Sequence, residues 1–122
     1  MATILVIDDD ENNRLLLSTL SKHAGHTVIE SASGAQGCEA ALETRPDLII
    51  VDLSLPDMPG VEVIRSMRAR PELRDCAIAL YTATQHQAAH TEVAQAFALR
   101  GAIPKPGTPQ EILEAIDRAL QR

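Results

Sequence analysis

Short apolar runs alternate with longer stretches in which apolar residues recur every three or four positions, from one end of the chain to the other. This alternation predicts βα units around a mostly parallel sheet, since short runs suit strands and spaced ones suit helices with one buried face. The first run, Thr3 to Ile7, is rich in β-branched residues and stops at Asp8, Asp9 and Asp10. A helix is expected from about Asn12, burying Leu16, Leu20 and neighbours and ending near Gly25, a residue suited to a left-handed cap. Thr27 to Ile29 predict a second strand. Ser33 is placed to cap a helix that carries Ala35, Cys38, Ala41 and Leu42 at helical spacing.

Leu48 to Val51 form an unbroken apolar run, as expected of a central strand covered on both faces, and Asp52 stands at its C-terminal end. Pro56, Pro59 and Gly60 mark a loop before a third helix in which Val61, Ile64 and Met67 share a face. Ala77 to Tyr81 read as a fourth strand ending at Thr82, followed by a helix with Ala89, Val93 and Phe97 along one stripe. Only Ala102 and Ile103, ahead of Pro104, mark a fifth strand. Thr108 and Glu111 have the spacing of a capping box before a last helix with Ile112, Ile116 and Leu120. Five strands and five helices result.

Composition narrows the class. At 122 residues, 45% hydrophobic and 23% charged, the chain predicts one packed domain over residues 1–122, with no room for a conventional output domain. The net charge of -6 argues against direct binding of nucleic acid or an anionic membrane, because no basic patch is available to displace counterions. The apolar runs are too short for membrane insertion, and the N-terminus enters a strand without a basic leader, so a cytoplasmic location is expected. Cys38 and Cys76 lack metal-like spacing and read as reduced structural thiols.

In an open parallel sheet the strand C-terminal ends share one edge, and ligands gather there where the strand order reverses. That edge would collect Asp8, Asp9, Asp10, Asp52, Thr82 and Lys105. Carboxylates so close repel one another and call for a hard divalent cation, for which Mg²⁺ is suited by its preference for oxygen ligands and retained waters. A carboxylate can also accept a phosphoryl group as an acyl phosphate when metal, lysine and hydroxyl groups meet the charge on the transferred oxygens.

Four segments in order, ILVIDDDENNR, PDLIIVDLSLPDMPG, Thr82-Ala83 and Lys105-Pro106, resemble the signature segments of response-regulator receiver domains. The resemblance covers essentially the whole chain. It implies a flavodoxin-like (βα)5 fold, a doubly wound sheet of five parallel strands in the order 2-1-3-4-5. It makes Asp52 the phosphoacceptor and Asp9 a direct Mg²⁺ ligand, with Asp8 acting at the metal largely through water and the Ser54 backbone carbonyl completing the protein ligands. Thr82 would bind a phosphoryl oxygen, Lys105 would pair with Asp52 and then with the phosphoryl group, and Lys105-Pro106 would be a cis peptide. Asp10 lies outside the matched acid pair. Ser54 and Thr84 stand at positions that in the family tune dephosphorylation.

The partners implied are a sensor histidine kinase or histidine phosphotransfer protein and a downstream protein target, read out by the fourth helix, fifth strand and fifth helix, roughly residues 87 to 121. That surface acts on its target in trans, or the chain is a fragment of a larger kinase or regulator. The chain would catalyse only its own phosphorylation and dephosphorylation. Ala102 departs from the pattern: many receivers carry an aromatic residue there that turns when the threonine moves, and alanine has no rotamer to change. Tyr81, beside Thr82, is expected on the opposite face by strand alternation and is no substitute. Two other functions remain open, a receiver-like module that binds without phosphorylation and a Mg²⁺-dependent aspartyl phosphohydrolase. His86 and His90 share a helix face at i, i+4 but lack a third ligand in register, so a solvated face is the expectation.

Overall fold

A computed structural model of the chain describes residues 1–53, 55–83 and 95–121, and the side chains of Thr82 and Ala83 lie outside that description. The strands are β1 (Thr3–Ile7), β2 (Thr27–Ser31), β3 (Leu48–Asp52), β4 (Ala77–Ala83) and β5 (Ala102–Lys105). They form a single sheet in the order β2-β1-β3-β4-β5, every pair parallel. Helices α1 (Glu11–His23), α2 (Gly34–Thr44) and α3 (Gly60–Arg68) and a C-terminal helix (Pro109–Leu120) cover it. The expected fourth helix falls mostly on residues outside the description; residues 95–97 are helical.

Strand alternation divides the core in two. Ile4, Val6, Leu48, Ile50, Tyr81 and Ile103 meet Leu17 of α1 and Ile112, Ala115 and Ile116 of the C-terminal helix. Leu5, Ile7, Ile49, Val51, Ile78 and Leu80 point the other way, onto Ala41 of α2 and Val63, Ile64 and Met67 of α3. All five residues of β3 are buried, as its unbroken apolar run predicts for the middle of a sheet with both faces covered.

Two stripes sit slightly off their expected phase. Leu17, not Leu16, is the fully buried leucine of α1, and Leu16 is 38% exposed. On α3 the buried set is Gly60, Val63, Ile64 and Met67, while Val61 is half-buried. β5 includes Pro104, which a strand tolerates at a sheet edge, where a missing N–H costs no ladder bond.

The C-terminal helix carries the expected capping box: the Glu111 amide donates to Thr108 Oγ1 at 3.1 Å and the Thr108 amide to Glu111 Oε1 at 2.9 Å. Replacing Thr108 by Ala is expected to lower unfolding free energy by about 1 kcal/mol, the usual worth of such a cap. Urea titration would show it as a lower midpoint at unchanged slope. Among the described residues no helix is long and apolar enough to cross a membrane.

Candidate functional site

The C-terminal ends of β1 and β3 bring three carboxylates together. Asp8 follows β1 and is fully buried, Asp9 is exposed, and Asp52 ends β3 at 6% exposure. One ligand oxygen from each lies within 4.8 Å of the others. Local hydrogen bonding fixes the turn that carries them. Asp8 Oδ1 accepts from the Asp10 amide at 2.9 Å, and the Asp8 carbonyl accepts from Arg14 Nη1 at 2.7 Å. Asp10 in turn caps α1, its Oδ1 accepting from the Asn12 and Asn13 amides.

Lys105, at the end of β5, reaches across the sheet edge. Its Nζ donates to Asp52 Oδ2 at 3.1 Å and stands 4.0 Å from Asp8 Oδ2. Asp8 Oδ2 is buried without a hydrogen-bond partner. Burial therefore pushes the Asp8 carboxyl up from 3.8 to about 6; the Asp10 amide pulls it back, Asp52 raises it further, and Lys105 partly offsets that. For Lys105 burial works downward, but the hydrogen bond and charge of Asp52, with Asp8 behind, outweigh it and hold the ammonium above its ordinary value. A buried carboxylate oxygen that lacks a hydrogen bond and has only a distant ammonium, in a cluster of hard donors, is what a divalent cation with oxygen ligands would satisfy. Lys105-Pro106 is cis, as expected from the sequence.

Sequence comparison decides the family: the model of the response regulator receiver domain matches residues 4–117. The chain belongs to this family. Receivers of this family are signalling switches that bind Mg²⁺ at an acidic pocket, and the Asp8, Asp9 and Asp52 group is one that could hold a metal ion. Among curated relatives, this receiver is 32% identical over 81 residues to the polar-differentiation response regulator DivK of Brucella anthropi, covering 66% of each chain. It is 40% identical over 73 residues to the transcriptional regulatory protein AfsQ1 of Streptomyces coelicolor, covering 60% of this chain and 32% of AfsQ1. The match thus spans just under two thirds of DivK and about a third of AfsQ1. Vibrio cholerae chemotaxis protein CheY4 superposes with a TM-score of 0.89 at 27% identity, over 98% of both chains. A sensor protein from a Polaromonas species gives 0.87 at 28% identity, over 97% of this chain and 94% of that one.

The receiver thus gathers Asp8, Asp9, Asp52 and Lys105 in one place. Ser54, Thr84, His86 and His90 lie outside the described residues, and for Thr82 only the backbone is described, in register with Pro104. Tyr81 packs with Ile103 against α1 and the C-terminal helix, whereas half-buried Ala102 packs on the opposite face with Phe97 and Leu99. Tyr81 is therefore not in the place of the missing aromatic.

Three supporting residues escaped the sequence reading. Asp10, outside the matched acid pair, holds both Asp8 and the start of α1. Asp57, in the loop after β3, caps α2 from a distance, accepting from the Gly34 amide at 2.9 Å and the Ala35 amide at 3.0 Å. Those amides hold its carboxyl below the usual value. Gly60 closes the same loop, its amide donating to the Leu53 carbonyl at 2.9 Å. An ideal Cβ there would lie 2.4 Å from the Asp52 carbonyl oxygen.

Proposed function

We propose that the chain is a phosphoacceptor receiver of a two-component or phosphorelay system, taking a phosphoryl group onto Asp52. The observation that carries this reading is the pairing of a buried carboxylate at the end of the central strand with an ammonium at 3.1 Å and two further carboxylates. A charge so placed does little for stability without a role, because burying it costs free energy. Asp8, Asp9, Asp52 and the Ser54 carbonyl would hold Mg²⁺, which when bound supplies charge neutralisation between the acceptor and the transferred oxygens.

In the transfer, one Asp52 carboxylate oxygen forms a bond to phosphorus as the bond from phosphorus to the donor's imidazole nitrogen breaks, and the imidazole keeps the electron pair. Lys105 moves from the carboxylate to the transferred oxygens, and the Thr82 hydroxyl donates to one of them. The donor is a sensor histidine kinase or a histidine phosphotransfer protein, and the added charge biases the surface of the fourth helix, β5 and the C-terminal helix toward a protein target in trans. Water later cleaves the acyl phosphate, so the only reactions catalysed are gain and loss of the receiver's own phosphoryl group. Residues 1–122 act as the receiver, in the cytoplasm.

Incubation with Mg²⁺ and a small acyl-phosphate donor, followed by intact-mass measurement, tests this. The wild type should gain one phosphoryl group and Asp52→Asn none. No gain in the wild type, or equal gain in the variant, overturns the acceptor role. Ala102 favours a second reading, a module that binds its partner constitutively, because it offers no aromatic rotamer for the switch. Amide chemical shifts with a phosphoryl mimic separate the two: response over residues 87 to 121 supports the switch, and silence supports constitutive binding.

A further inference from the structure

We propose that Tyr81 is a positioning residue for the Lys105 ammonium, its ring face holding Nζ at the acid pocket between Asp52 and Asp8. The inference rests on the reading of Asp52 as the phosphoryl acceptor. Lys105 Nζ lies 5.0 Å from the centroid of the Tyr81 ring, within the range at which a cation is attracted to an aromatic face. The ring itself is fixed. Tyr81 is 2% exposed, wedged between β3 and β5 in register with Asp52 and Ile103, and belongs to the core under the C-terminal helix.

Lys105 needs such a constraint. Its side chain keeps 29% of its surface exposed, so it has a route into solvent, and the two carboxylates draw it to different distances, 3.1 and 4.0 Å. A long flexible ammonium gains from any contact that narrows its positions before the reaction. An aliphatic residue at 81 would fill the same core space and offer the cation nothing. A ring face attracts without fixing a direction, so Nζ can pass from the Asp52 carboxylate to a phosphoryl oxygen without leaving it. The chain has one tyrosine and one phenylalanine, and Phe97 packs on the other side of the sheet, so Tyr81 is the aromatic residue of these two that meets Lys105.

The test compares Tyr81→Phe, which keeps the ring, with Tyr81→Leu and Tyr81→Met, which do not. At saturating Mg²⁺ the maximal rate of phosphoryl gain from a small acyl phosphate should stay within about twofold of wild type in Phe. It should fall about threefold to thirtyfold in whichever of Leu and Met is folded, with little change in half-saturating donor concentration. Rates in Leu and Met equal to wild type, or a fall in folded Phe matching theirs, overturn the proposal. A ring-current shift of the Lys105 methylene protons is read without any phosphoryl donor. It should be present in wild type and Phe and lost in Leu and Met, and its absence from wild type overturns the positioning role. A wild type that shows the shift but gains no phosphoryl group overturns the acceptor reading, and with it the catalytic purpose of the contact.

Discussion

Asp8→Asn is expected to make the metal-free protein more stable at neutral pH, by about 2 to 3 kcal/mol. The folded state raises the Asp8 carboxyl from 3.8 to about 6, so it holds the proton more tightly than the unfolded chain does. Wild-type stability therefore falls as pH rises from about 4 to about 6, and the full cost is present above 6. Asparagine carries no charge to bury, and its amide oxygen can still accept from the Asp10 amide. The gain should appear in urea titrations at pH 7.5 without Mg²⁺ and shrink toward zero near pH 4. A variant no more stable than wild type at pH 7.5, or one equally stabilised at both pH values, would contradict the electrostatic account. Mg²⁺ should restore the balance: it is expected to raise the wild-type midpoint at neutral pH and to do much less for the variant, which has lost one anionic group of the site.

Gly60→Ala should be costly in the opposite direction, lowering unfolding free energy by about 3 kcal/mol. The added Cβ would stand 2.4 Å from the Asp52 carbonyl oxygen and 2.7 Å from Leu53 Cα, both backbone atoms that cannot swing aside. Relief requires the chain between β3 and α3 to shift, which moves the backbone of Asp52 itself and strains the bond from the Gly60 amide to the Leu53 carbonyl. Phosphoryl gain should therefore slow even where the variant remains folded. A urea midpoint close to wild type would mean that the loop is looser than this packing implies. Together the two substitutions separate what the site costs from what its frame requires: one removes charge and leaves the backbone, the other leaves every charge and moves the backbone.

The strands and the acid edge were legible because their signals are local. An unbroken run ending in Asp52, an acid triplet ending β1 and a Lys-Pro pair after a short strand each announce themselves within a few residues, and topology brings them together. Phase was harder to read. Leu15, Leu16 and Leu17 are consecutive, so the sequence gives no reason to prefer one, and the structure buries Leu17 while Leu15 stays 62% exposed. Asp57 was invisible for another reason: its partners are 22 and 23 residues earlier in the chain, and a carboxylate in a proline-rich loop looks like any solvated turn. The Tyr81 contact likewise depends on how β4 and β5 align, with Ala83 opposite Lys105, a register that no local spacing encodes.

Pro104 sits in the outermost strand of the sheet, beside the site lysine. A strand from a second molecule approaching that flank would find a break in the row of amide donors and a ring in the way of close pairing. Pro104 is thereby expected to disfavour sideways sheet extension at the flank that carries Lys105.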